Sequence, residues 1–118
     1  MNVKVKAVVE YGGHNISANG AVNFVVKAGY DQLTNIIQLF QMLNNDVCIK
    51  VKIPEQKPFS LGMFRIKNIA TAGDGSSKIK FNGLTDYVEL DKLNELPMQD
   101  ADNPQFIAVF EAEIEDEE

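Results

Sequence analysis

Three observations predict a mostly β fold with one main helix. Six stretches alternate apolar and polar residues with period two. One stretch, between Asp31 and Leu43, spaces its apolar residues as a helix does. The order runs strands, helix, strands, which matches an OB-fold-like Greek-key barrel.

Residues 3–11 open the chain with Val3, Val5, Ala7, Val9 and Tyr11 against Lys4, Lys6, Val8 and Glu10. That is a half-buried strand. Gly12, Gly13, His14 and Asn15 have turn chemistry. Residues 16–18 form a short extended piece, and Asn19-Gly20 is a strong hairpin signal. Residues 21–28 alternate again, with Val22, Phe24, Val26 and Ala28 on one face. Asp31 is placed to cap a helix from Gln32 to about Leu43. Its expected buried stripe is Leu33, Ile36, Ile37, Phe40 and Leu43, with Leu39 and Met42 outside it, covered by a loop or sheet edge or held in a subunit contact.

Residues 46–53 set Val47, Ile49, Val51 and Ile53 against Cys48, Lys50 and Lys52. Residues 54–58 are a Pro-bounded loop. Residues 61–69 form the next strand, and 72–77 a Gly-rich turn. Residues 78–81 return, and Asn82-Gly83 is expected to end that strand. Leu90, Leu93 and Leu96 suggest a short helix before Pro97, and 98–104 a polar linker. Phe106, Ala108, Phe110, Ala112 and Ile114 alternate as the last strand. Counting 16–18 as a strand puts the helix after the third strand, as in the minimal OB barrel. If 16–18 is only turn, an antiparallel α+β sandwich is the alternative.

With 118 residues, 45% hydrophobic and 24% charged, the chain is expected to form one OB-like domain over 1–114 with an acidic tail at 115–118. No apolar run approaches the roughly 20 residues that cross a bilayer, so no membrane partner is expected. The N-terminal MNVKVKAVV lacks the apolar block of a signal peptide. Cys48 is the single cysteine and His14 the single histidine, which leaves no disulfide and no Cys/His zinc set. A reducing cytoplasm is the expected location.

The net charge of -6 conceals an asymmetry. Residues 1–85 hold ten of the eleven basic residues and five acids, about +5. Residues 86–118 hold Lys92 and twelve acids, about -11. The basic residues are patterned. Lys4/Lys6, Lys50/Lys52, Arg65/Lys67 and Lys78/Lys80 are each spaced i, i+2, which places both members on one strand face. Each pair lies opposite an apolar pair, so eight cations are expected to project from one barrel wall and attract phosphates. The bland alternative is that lysine is simply a common solvent-facing strand residue.

Single-strand binding also uses aromatic platforms. Tyr11, Tyr30, Phe59 and Tyr87 lie at strand ends or element boundaries and are the candidates, Tyr11 and Phe59 being carried into the expected site. Enzymatic signals are poor: His14 sits in a Gly-rich turn, and Cys48 has no thiol or histidine beside it in sequence. Residues 73–77 lack the lysine and the strand-to-helix setting of a phosphate loop. No catalytic residue, cofactor or metal is expected. The acidic end would compete with nucleic acid for a basic groove, recruit partners, or serve solubility.

The stretch YDQLTNIIQLFQMLNNDVCIKVK, from Tyr30 to Lys52, resembles the small single-stranded DNA-binding proteins of phages that infect lactic-acid bacteria, as do the total size and the acidic end. The resemblance covers most of the chain without a sharp motif. It implies an OB-fold, dimers or tetramers, and sequence-independent single-strand binding in phage DNA replication or recombination, in the cytoplasm of the bacterial host. Replication or recombination proteins would be further partners. One departure is plain: the chain ends in Glu117-Glu118, without the apolar tip by which many bacterial single-strand binders dock partners. The alternatives are a phage protein-interaction or structural module, and an inhibitor whose acids mimic nucleic acid.

Overall fold

The computed structural model describes residues 1–98 and 100–114. The acidic tail expected at 115–118 lies outside the described residues. Six strands close into a barrel in the order β1-β2-β5-β4-β3-β6, with β6 returning to pair with β1. They are β1 (Asn2–Ile16), β2 (Ala21–Ala28), β3 (Val47–Lys52), β4 (Phe59–Thr71), β5 (Ser77–Leu84) and β6 (Gln105–Glu113), and every pairing is antiparallel. The fold is therefore mostly β with one main helical segment, an OB-like closed barrel. Closure removes sheet edges, which in an open sheet template aggregation.

The strand count before the helix differs from the expectation. Ile16 is the last residue of β1, and 17–20 form the hairpin turn, closed by the Ser17 amide on the Ala21 carbonyl at 2.8 Å. The helix thus follows the second strand. Gly12 and Gly13 do not turn the chain either. β1 runs through them with a bulge between Tyr11 and His14 and continues along β2. A bulge bends a strand and raises its twist, which a barrel of this size requires.

The helical stripe is also corrected. Tyr30–Gln32 is a 3-10 turn, Leu33–Ile37 is α1, and Gln38–Met42 is again 3-10. A 3-10 helix repeats every three residues, so the buried row is Ile36, Leu39 and Met42. Ile37 and Phe40, expected inside by a 3.6-residue period, are 54% and 50% exposed. Asp31 caps nothing: the segment begins at Gly29 without a side-chain cap, and the Asp31 carboxylate instead accepts from the Gln32 amide. Gln32 Oε1 in turn accepts the Val8 backbone N–H at 2.9 Å and so ties this segment to β1.

The interior follows the alternation closely. Phe24, Phe64, Phe81 and Phe110 meet at the centre, with Phe81 parallel to Phe110 at 5.6 Å between centroids and Phe24 5.5 Å from Phe64. β5 does not stop at Asn82-Gly83 but continues to Leu84. Gly83 is buried, and a Cβ there would lie 2.8 Å from Val88 Cγ2. The missing side chain leaves room for Val88, which anchors the chain after β5. Thr85–Tyr87 is a 3-10 turn, and α2 (Leu90–Leu93) buries Leu93 and, just beyond it, Leu96. Among the described residues no helix is long and apolar enough to cross a membrane.

Candidate nucleic-acid interface

Strand order decides how the basic pairs are distributed. In the ring, β5 is flanked by β2 and β4, and β6 by β1 and β3. Lys78/Lys80 on β5 and Arg65/Lys67 on β4 share one wall. Lys4/Lys6 on β1 and Lys50/Lys52 on β3 share the opposite wall, with β6 between them. The expectation of eight cations on a single surface is corrected to two groups of four on opposite sides. Antiparallel pairing across two different central strands separates them.

The two walls differ in their electrostatics. On the β1-β6-β3 wall, Lys4 Nζ pairs with Glu111 at 3.4 Å. The Glu111 carboxyl is held below the usual carboxylate range, first by a hydrogen bond from Asn2 and then by Lys4 and Lys50. Lys52 spends its ammonium on the backbone carbonyls of Ile53, at 3.0 Å, and Gln56. Lys6 and Lys50 are exposed, but between them lies Val109 of β6, and beside it Ile107. This wall is half neutralised by its own partners.

The β2-β5-β4 wall carries more uncompensated charge. Lys27 on β2 is registered directly opposite Lys78 on β5 and, on its other side, opposite Glu10 of β1. Lys80 follows two residues on, beside Val25 and Asn68, and Lys67 emerges from the β4 bulge between Ile66 and Asn68. Among the described residues Lys27, Lys67, Lys78 and Lys80 form no ion pair. Lys27 belongs to no i, i+2 pair, so charge patterning alone passes over it. The signal available was its outward place opposite Val26 and Ala28.

One row further along the strands the surface carries no net charge and is hydrogen-bonded across the strands. Asn23 Nδ2 donates to Asn15 Oδ1 at 2.9 Å, and Asn82 Nδ2 donates to Asn23 Oδ1 at 3.1 Å. Asn82 is registered with Arg65, whose Nε donates to Asp46 at 3.0 Å. Three carboxamides and an ion pair thus cross the wall in one line. No spacing rule marks this row, because its members are 8 and 59 residues apart in the chain.

The aromatic candidates separate clearly. Tyr11 is half-buried, its hydroxyl bonded to His14 Nδ1 and its ring 6.0 Å from Phe24; burial pushes its phenol pKa up. Phe59 is half-buried, with Lys92 Nζ over its ring at 5.5 Å. Both rings are already engaged. Tyr30 is 75% exposed and rests against Gly75 in the β4–β5 loop, at the Lys78 end of the basic wall. Tyr87 is 65% exposed at the Asn82 end, lining a cleft with Met63, Arg65 and Leu84. Cys48 is half-exposed on the opposite wall, registered with Glu111 and Met63, and no group of three or more metal-ligating side chains occurs among the described residues.

No protein-family model matches the chain, and no curated protein matches it.

Proposed function

We propose that this protein binds single-stranded DNA without regard to sequence, in phage DNA replication or recombination, and that the β2-β5-β4 wall is the contact surface. The observation that supports this is the direct registration of Lys27 with Lys78, flanked by Lys67 and Lys80, four cations that form no ion pair among the described residues, although Glu10 of β1 is registered with Lys27 on its other side. Like charges directly opposite on a sheet destabilise it. A polyanion relieves that repulsion, and the release of its counterions drives binding. The wall runs about 13 Å from Lys78 to Asn82 at the usual rise per strand residue. Lysine contacts to phosphate carry no base information, so binding through this wall is indifferent to sequence.

Self-association belongs to the same proposal. Between Tyr30 and Leu43 the only charged residue is Asp31, and Ile37 and Phe40 stand exposed there. A second copy of this face meets it without like-charge conflict.

The test is titration of single- and double-stranded oligonucleotides at two salt concentrations. Tight binding of single strands that weakens steeply with salt supports the proposal. No binding at low salt, or an affinity indifferent to salt, overturns it.

A further inference from the structure

At the far end of the lysine wall lies a cleft whose chemistry differs from the wall itself. Its sides are Tyr87, Leu84 and Met63, all exposed apolar or aromatic groups. Its polar members are Asn82, Arg65 and Asp46. Arg65 is paired with Asp46, so the cleft offers phosphate little net attraction. What it offers instead is a mixed set of donors and acceptors between apolar walls. Asn82 gives one N–H to Asn23, and among the described residues its Oδ1 and second N–H have no partner. The terminal nitrogens of Arg65 are likewise unengaged, because the bond to Asp46 uses Nε.

The backbone fixes Tyr87 in place. Gly62 of β4 has φ +103, and a Cβ there would lie 2.2 Å from the Tyr87 carbonyl oxygen. Gly62 forms an isolated bridge with Val88, and the Glu89 N–H donates to the Leu61 carbonyl at 2.9 Å. The backbone that carries the Tyr87 ring is therefore clamped directly onto β4, and the ring lines the same cleft as Asn82.

We infer that this cleft holds one nucleobase of the bound strand, its face against Tyr87 and its edge toward Asn82, Arg65 and Asp46. The inference rests on the single-strand reading above and adds a fixed register to it. A flat, neutral ligand with a polar rim suits a flat ring, apolar sides and a neutralised polar edge. A phosphate does not. Because donors and acceptors are both present, a base of any identity finds a partner, and sequence independence is kept. A paired base cannot enter, so the cleft also favours single strands over duplex.

The experiment uses the full chain and the shortest oligodeoxythymidylate that it binds, in which each nucleotide is replaced in turn by an abasic site. One position, or two adjacent ones, is expected to lose about tenfold in affinity. In Tyr87→Ala the intact oligonucleotide should bind about tenfold more weakly and the position dependence should vanish, while Tyr87→Phe keeps both. Uniform loss at every position, or a position dependence that survives in Tyr87→Ala, overturns the cleft and leaves the lysine wall standing. Failure of every oligonucleotide to bind at low salt overturns the single-strand reading and the cleft with it.

Discussion

Lys27 and Lys78 face each other across the β2–β5 ladder, and among the described residues neither forms an ion pair, although Glu10 of β1 is registered with Lys27 on its other side. Their repulsion is a standing cost to the free protein and a source of affinity for a polyanion. Replacing both with Ala should weaken single-strand binding on all sequences alike. It should also flatten the plot of log affinity against log salt by about 1.4, at roughly 0.7 per phosphate contact. Lys4→Ala with Lys6→Ala on the opposite wall should leave the salt slope nearly unchanged. Equal effects from both double variants would remove the assignment of the contact surface to β2-β5-β4.

The helical segment offers a paired comparison. Leu39→Ala should cost about 2–5 kcal/mol in urea unfolding, because the side chain is fully buried. Phe40→Ala, one residue on, should cost clearly less, about 1 kcal/mol, its ring being half exposed. The reverse ranking would mean that the segment keeps a 3.6-residue period in solution.

Ile37→Glu with Phe40→Glu should shift sedimentation toward the monomer and remove the dependence of the urea midpoint on protein concentration, because association adds to apparent stability. Both side chains are about half exposed, and circular dichroism of the variant checks that it stays folded. An unchanged oligomeric state would remove this face from the proposal.

Gly62→Ala should destabilise the fold by more than about 3 kcal/mol. It combines a positive φ that side chains rarely adopt with a Cβ placed against the Tyr87 carbonyl. A mild loss in thermal unfolding would show that the 85–88 turn can lift away from β4.

Tyr11 sets a pH dependence. Burial raises its phenol pKa in the folded chain, so folding favours the protonated form. That contribution is fully present below the unfolded tyrosine value of about 10 and is lost as pH rises through the folded one. Between pH 9 and about 11, wild type should therefore lose stability more steeply than Tyr11→Phe in urea titrations. Parallel curves would show that the ring is not desolvated.

The strands were legible because alternation states directly which residues face a core. Val5, Ala7 and Val9, Ile49 and Val51, and Phe106, Ala108 and Phe110 are all buried as their period demands. The helix was legible in place but not in phase, since a change from 3.6 to 3 residues per turn leaves no mark in hydrophobicity. Gly12-Gly13 and Asn82-Gly83 carry turn chemistry, yet both lie inside strands. There a close neighbour, Val25 or Val88, occupies the space that a side chain would fill.

The β-rich class, the buried face of each strand and the outward pairs of lysines can be read from residue order alone. These follow from local periodicity, which every strand carries within itself. Which pairs become neighbours is set by barrel closure, which puts β6 between Lys6 and Lys50 and β5 beside Lys27. Pairing partners are set by how the whole chain closes its barrel, so the joining of Lys27 to Lys78 and of Asn15, Asn23 and Asn82 has no local signature.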